Sequence, residues 1–328
     1  MLVLSRTQTE SLLDLDDLRR AVAAAMEEVS AGRTSMPPRI AAMAGEGGLL
    51  AAMPAYLPAG GLAAKLVSLF PGNAGGRLPT HQAVVVVFDA DSGQPVALMD
   101  GTSITTLRTA AGSALSAELL AREDAATLAI LGTGVQARAH AEALVRVRPI
   151  QRIRVAGRNR DHAASLSSAL QEFLGIPVQA VDSYAEACAG ADLICAATHS
   201  PDPVVCREYL SPGVHVMSVG YNTAGREVDS ATVVDAMVVV ESRDAVLAPP
   251  PSGCNDLRVP MQQGLIGAEH IEAEIGELLL GTKAGRTSPA QITLYKSVGI
   301  AAQDVAAARL VLDAARERNL GLEVDLSA

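Results

Sequence analysis

Tryptophan is absent from this 328-residue sequence, phenylalanine occurs three times, and lysine appears only as Lys65, Lys283 and Lys296. With a net charge of −10 and no lysine-rich tract, the chain has neither the clustered cations nor the aromatic residues that nucleic acid calls for. No apolar run approaches the roughly 18 residues of a membrane span; runs such as Ala83 to Phe88 are strand-sized. Cys188, Cys195, Cys206 and Cys254 form no CxxC pair and are too few for a disulfide framework, so they are read as reduced, buried thiols. The six histidines show no HExxH or other ligand spacing, and no metal is expected. The first twenty residues lack the basic head, apolar middle and cleavage site of a signal peptide, which points to the cytoplasm. What remains is a small-molecule partner.

Hydrophobic residues make up 49% of the chain, enough for a large core and, at this length, for two domains. From Thr127 onward short β-like runs alternate with helical stretches: "TLAILG", "VQARAHAEALVRV", "RIRVAG", "DHAASLSSALQEFL" and so on to "AMVVVES". Such alternation predicts a parallel sheet, because each crossover helix packs back onto it. The fold class expected is α/β, with a doubly wound Rossmann domain over 118–295. Residues 1–117 read differently, with an amphipathic helix in "DLDDLRRAVAAAMEEVSAG" and a hairpin signal where two apolar runs flank "DADSG". They are read as an α+β domain, to which the long amphipathic helix in 296–328 is assigned, making that domain discontinuous.

The strongest chemical signal is "LAILGTGVQARAHAEALV", where Gly132, Gly134 and Ala137 form a G-x-G-x-x-A turn between a predicted strand and a predicted helix. Gly132 permits the turn, Gly134 leaves room for a pyrophosphate, and the open helix N-terminus favours negative charge. After the second strand, in "RVAGRNRD", the place of a ribose-binding carboxylate is held by Ala156 or Gly157, followed by Arg158, Asn159 and Arg160. Arginine beside a missing acid favours a 2′-phosphate, hence NADP(H), with NAD(H) as the alternative. Three further cations have settings that suit an anion site: Arg39 in "MPPRIAAM", Lys65 in "AAKLVSLFPGN" and Arg108 in "GTSITTLRTAAGSAL". Arginine offers a planar fork for a carboxylate, and a desolvated lysine offers a usable proton.

Taken together, "PPRI", "KLVSLFPGN", "LPTHQAVVVVFDADSGQPVALMDGTSITTLRTAA", "ILGTGVQARAHAEAL", "GYNTAGREVD" and "GELLLGTKAGRTSPAQITLYKSVGIAAQD" resemble the ornithine cyclodeaminase and mu-crystallin family from about Pro37 to Asp304. The resemblance implies a homodimer, with residues 1–117 and 296–328 as the substrate-binding and dimerisation domain. It implies that Arg39, Lys65 and Arg108 are the substrate-carboxylate and catalytic cations, with Thr80 in the segment lining the pocket. It extends the expected cofactor set to Thr109, Val135, Gln136, Ala197, Thr198 and Val219, beside the glycine loop and Arg158 to Arg160. Where cyclodeaminases of the family carry an acid two positions after a glycine, this chain has Asn222, which neither acts as a base nor balances an ammonium. The activity implied is NAD(P)H-dependent reduction of small cyclic α-imino acids such as pyrroline-2-carboxylate and piperideine-2-carboxylate. An alanine-type dehydrogenase, an ornithine cyclodeaminase and a non-enzymatic ligand-binding protein are the alternatives.

Overall fold

The computed structural model describes residues 1–45, 47–73, 75–222, 224–249 and 252–326. The chain divides into two compact units, Met1–Arg108 with Ile300–Ala328, and Thr109–Gly299. The C-terminal segment therefore belongs with the first hundred residues. The division falls at Arg108, inside the continuous helix Gly101–Leu120, whereas the sequence suggests a boundary after residue 117. Nothing in that alanine-rich stretch marks a break.

Unit 1 is built on a seven-stranded sheet in the order Leu322–Glu323, Leu2–Leu4, Pro95–Asp100, His81–Phe88, Gly61–Leu69, Leu49–Leu57, Ile40–Met43. The run from 40 to 100 is an antiparallel meander. Its hairpin at "DADSG" is closed by the Asp89 carboxylate, which accepts from the Ser92 N–H at 2.8 Å, and by Gly93 at φ +74°. Alternation sorts the side chains. Ala51, Met53, Ala55, Ala63, Val67, Ala83, Val85 and Val87 point inward and are buried. Over the sheet packs helix Ala301–Glu317, and against it lies helix Leu15–Ser30, capped by the Asp14 side chain.

Unit 2 carries eight parallel strands in the order Ile271–Glu274, Met237–Val240, Thr293–Lys296, His215–Ser218, Leu193–Ala196, Thr127–Leu131, Arg152–Ala156, Val178–Ala180. Strands 127–131, 193–196, 215–218 and 237–240 are buried along their whole length, as a sheet covered by crossover helices requires. Strand order reverses between Thr127–Leu131 and Leu193–Ala196, so their carboxyl ends border the switch point where ligands of this fold bind.

Helix Gly101–Leu120 starts where the Asp100 carboxylate accepts the Ser103 N–H at 2.7 Å. Its last carbonyls are satisfied by arginines: Arg148 donates to the carbonyls of Glu118 (2.9 Å) and Ala121 (3.0 Å), and Arg286 to that of Leu120 (2.7 Å). Two small hydroxyls on it meet buried histidines, Ser113 with His140 at 2.9 Å and Ser116 with His215 at 3.1 Å. Burial holds both imidazoles far below the ordinary range, His140 near 4 and His215 near 3, the latter with help from Arg286 and Arg148. Among the described residues no helix is long and apolar enough to cross a membrane.

Candidate active site

Lys65 stands at the centre of the inward sheet face, in register with Met53 on one side and Val85 on the other. A lysine at a position that alternation makes apolar needs a counter-charge, and Asp304 supplies it: Nζ lies 2.7 Å from Oδ2, with the residues 2% and 1% exposed. Asp304 sits in the first turn of helix Ala301–Glu317, where the helix dipole also favours a carboxylate. Its other oxygen, Oδ1, accepts from Arg108 Nε at 3.1 Å, and Arg108 Nη1 donates to Gln303 Oε1 at 2.6 Å. Lys65 further donates to the Thr105 hydroxyl at 3.3 Å. One buried carboxylate thus holds two cations.

The charges compete. Burial pushes the Lys65 ammonium down to about 8; Asp304 opposes that shift, while Arg108 and Arg39 add to it. Burial also works against the Asp304 anion, but Lys65 and Arg108 overcome it and hold the carboxyl below its ordinary range. His81, on the same inward face, is pushed down to about 4 by burial and then by Lys65 and Arg108, so it is neutral near pH 7. The cluster therefore combines a buried, net-positive environment with an acid that titrates close to neutrality.

Of the substrate residues expected from sequence, Lys65 and Arg108 are brought together through Asp304, and Arg39, half-buried, is near enough to act on Lys65. Thr80 occupies an exposed bend, its carbonyl accepting the Phe70 N–H at 2.8 Å. In unit 2, Asn222 closes a turn: its Oδ1 accepts from the N–H groups of Ala224 (2.9 Å) and Gly225 (3.0 Å). Asp304, Gln303 and His81 escaped the sequence reading as site residues. The signal for Asp304 is a lone acid among alanines in "IAAQDVAAARL".

The residues expected to hold a dinucleotide lie in unit 2. Gly132 has φ +122°, and a Cβ there would lie 2.5 Å from the Ala197 carbonyl oxygen, so only glycine fits. Gly134 starts helix Val135–Leu144 without a side-chain cap, and nothing lies within 4 Å of where its Cβ would be. That open N-terminus suits a diphosphate. Val135 is 65% exposed, and the buried Gln136 Oε1 has no partner among the described residues. Across the switch point lie Ala197, Thr198 and Val219, the last donating its N–H to the Ala196 carbonyl at 3.0 Å. Thr109 is buried in helix Gly101–Leu120.

After strand Arg152–Ala156, the three candidates for a 2′-phosphate have different roles. The Asn159 side chain caps helix Arg160–Leu174 by accepting the His162 N–H, and Arg160 pairs with Asp182. Arg158 is exposed and lies near the Tyr184 phenol. A Cβ at Gly157 would come 2.6 Å from the Thr133 methyl, which disfavours a carboxylate side chain at that position.

The sequence matches the description of one family, ornithine cyclodeaminase/mu-crystallin, over residues 1–319. The chain belongs to that family. It is 36% identical to a Δ1-pyrroline-2-carboxylate reductase of Bacillus cereus, over 99% of this chain and 100% of that protein. Its fold is similar to the Δ1-pyrroline-2-carboxylate reductase of Thermococcus litoralis in complex with NADH and L-proline, with a TM-score of 0.95 and 36% identity, covering 99% of this chain and 100% of the other. It is also similar to an archaeal alanine dehydrogenase dimer with bound NAD, with a TM-score of 0.92 and 32% identity, covering 99% of each chain.

Proposed function

We propose that this protein is an NAD(P)H-dependent reductase of small cyclic α-imino acids, taking pyrroline-2-carboxylate or piperideine-2-carboxylate to the L-amino acid. The observation that carries the reading is the buried Lys65–Asp304–Arg108 cluster: an oriented guanidinium beside an ammonium poised to give up a proton. The likeness to two pyrroline-2-carboxylate reductases over nearly the whole chain supports the same substrate class.

In this reading Arg108 and Arg39 hold the substrate carboxylate. Asp304 takes Arg108 Nε and Gln303 takes Nη1, which fixes the guanidinium plane and leaves Nη2 as the nitrogen neither pair uses. Lys65 Nζ donates a proton to the ring nitrogen, and a protonated C=N is the better hydride acceptor. The Gly132–Gly134 loop would hold the reduced dinucleotide, which would supply the hydride. Proton and hydride together convert C=N to CH–NH, and Asp304 holds Lys65 in place for reprotonation from solvent. Arg158 at the missing-acid position favours NADPH over NADH.

We further propose a homodimer formed through the outward face of the unit 1 sheet. Ile40, Ala52, Leu66 and Val84 make one lateral row across four strands, and Ile40 and Leu50 are 70% and 49% exposed. A continuous apolar sheet face of this kind is a binding surface in a soluble protein. An alanine-type dehydrogenase is the second reading, supported by the likeness to the archaeal alanine dehydrogenase. NADPH and NADH oxidation with pyrroline-2-carboxylate, piperideine-2-carboxylate, and pyruvate plus ammonia separates the two.

A further inference from the structure

Unit 2 contains a second buried charge network, and the proton and hydride steps above do not use it. Glu227, 3% exposed, accepts four hydrogen bonds: from the Thr198 N–H (2.6 Å) and hydroxyl (2.7 Å) on Oε1, and from the Ser218 hydroxyl (2.8 Å) and Gly220 N–H (2.7 Å) on Oε2. These fill the acceptor sites of the carboxylate. The N–H groups of Glu227 and Val228 donate to Asp256 Oδ1 at 2.8 and 2.9 Å. Asp256 Oδ2 pairs at 3.0 Å with the fully buried Lys296, which also donates to Ser218 Oγ and the Gly220 carbonyl, each at 3.0 Å.

The location of this network gives it meaning. Ser218 and Lys296 end adjacent strands, and Thr198 follows the next one, so the network joins three neighbouring strands at their carboxyl ends. The fit is tight: a Cβ on Gly220 would lie 2.3 Å from the Glu227 carboxylate and from the Thr198 carbonyl oxygen. Ala197, next to Thr198, is the residue against which Gly132 of the glycine loop packs. Burying two carboxylates and an ammonium is expensive compared with an apolar cluster of the same volume. What such a network adds is fixed geometry at the loops it holds.

We propose that Glu227 is a positioning residue for the dinucleotide: its carboxylate locks Thr198 and Gly220 so that the strand ends facing the glycine loop are preformed for the nicotinamide cofactor. The Lys296–Asp256 pair supplies the counter-charge. This rests on the reading of unit 2 as the NAD(P)H-binding unit.

The test is Glu227→Gln, which keeps the shape but turns one acceptor oxygen into a donor facing two donors. Cofactor affinity is measured by NADH and NADPH fluorescence titration, alongside the KM for pyrroline-2-carboxylate and the Tm. Dissociation constants for both dinucleotides rise about tenfold or more, while the imine KM, measured at saturating cofactor, stays within about twofold. Ser218→Ala, which removes one donor and disturbs folding less, raises the dinucleotide constants about threefold. Unchanged dinucleotide affinity in both variants overturns the proposal, as does a parallel loss of imine and cofactor affinity that follows the Tm. If the unsubstituted protein binds neither NADH nor NADPH, the dinucleotide reading itself falls, and this proposal with it.

Discussion

Lys65 and Asp304, 239 positions apart in sequence (304 − 65), form a 2.7 Å ion pair with almost no solvent contact. The pair sets the proton chemistry of unit 1: burial drives Lys65 toward the neutral amine, and Asp304 limits how far it goes. Asp304→Asn removes the restraint. The alkaline limb of the kcat/KM profile, expected near pH 8 in the unsubstituted protein where Lys65 loses its proton, moves to lower pH. Stability falls by about 3–5 kcal/mol, because two cations are left without their counter-ion. A pH–rate series with denaturant unfolding checks both, and an unmoved alkaline limb refutes the role assigned to Lys65.

Arg108→Lys keeps the charge but loses the fork that Asp304 and Gln303 orient. Steady-state kinetics with a carboxylated imine show kcat/KM lowered about 10- to 100-fold. Activity within a factor of about two of the unsubstituted protein makes Arg108 a packing residue.

Arg158→Ala separates the cofactors. Arg158 is exposed just after strand Arg152–Ala156, and in the proposed reading its guanidinium meets the 2′-phosphate. The KM for NADPH rises about tenfold or more, while that for NADH is little changed. An equal loss for both assigns Arg158 no part in cofactor choice.

Acid lowers stability through His140 and His215. Both fold with pKa values depressed, to about 4 and 3, from an unfolded value of 6.5. Between those limits the unfolded chain binds more protons, so the stability present above pH 6.5 is lost as pH falls toward 4. Unfolding midpoints measured from pH 7.5 to 4.5 decline, and His215→Gln flattens the decline. A flat profile in the unsubstituted protein contradicts the buried, neutral imidazoles.

Much of this was legible in the sequence where a local pattern carries it. Strand–glycine–helix spacing marks the tight turn at Gly132 and the open helix N-terminus at Gly134, the turn residues around Asp89 and Gly93 mark a hairpin, and the scarcity of lysine singles out Lys65, which is buried. The partners of these residues were not legible. Asp304 reaches Lys65 and Arg108 only because a C-terminal helix returns to the first sheet, and no periodicity encodes which acid on a helix meets which lysine on a strand. Glu227 and Lys296 were passed over for the same reason, although Lys296 is a lysine inside the apolar strand run "ITLYK", much as Lys65 is in its own. Asn159, expected as a cofactor contact, also caps helix Arg160–Leu174 through its side chain, as its place before "RDHAAS" suggests.

Two parallel incubations decide whether Lys65 serves imine reduction: pyrroline-2-carboxylate with stoichiometric NADPH, and L-ornithine with catalytic NAD, each with the unsubstituted protein and with Lys65→Met. The expected result is rapid, stoichiometric NADPH oxidation with formation of proline, little ammonia from ornithine, and a loss of about 100-fold or more in Lys65→Met with dinucleotide binding intact. Ready release of ammonia and proline from ornithine without imine reduction, or a Lys65→Met variant that reduces the imine as fast as the unsubstituted protein, would contradict it.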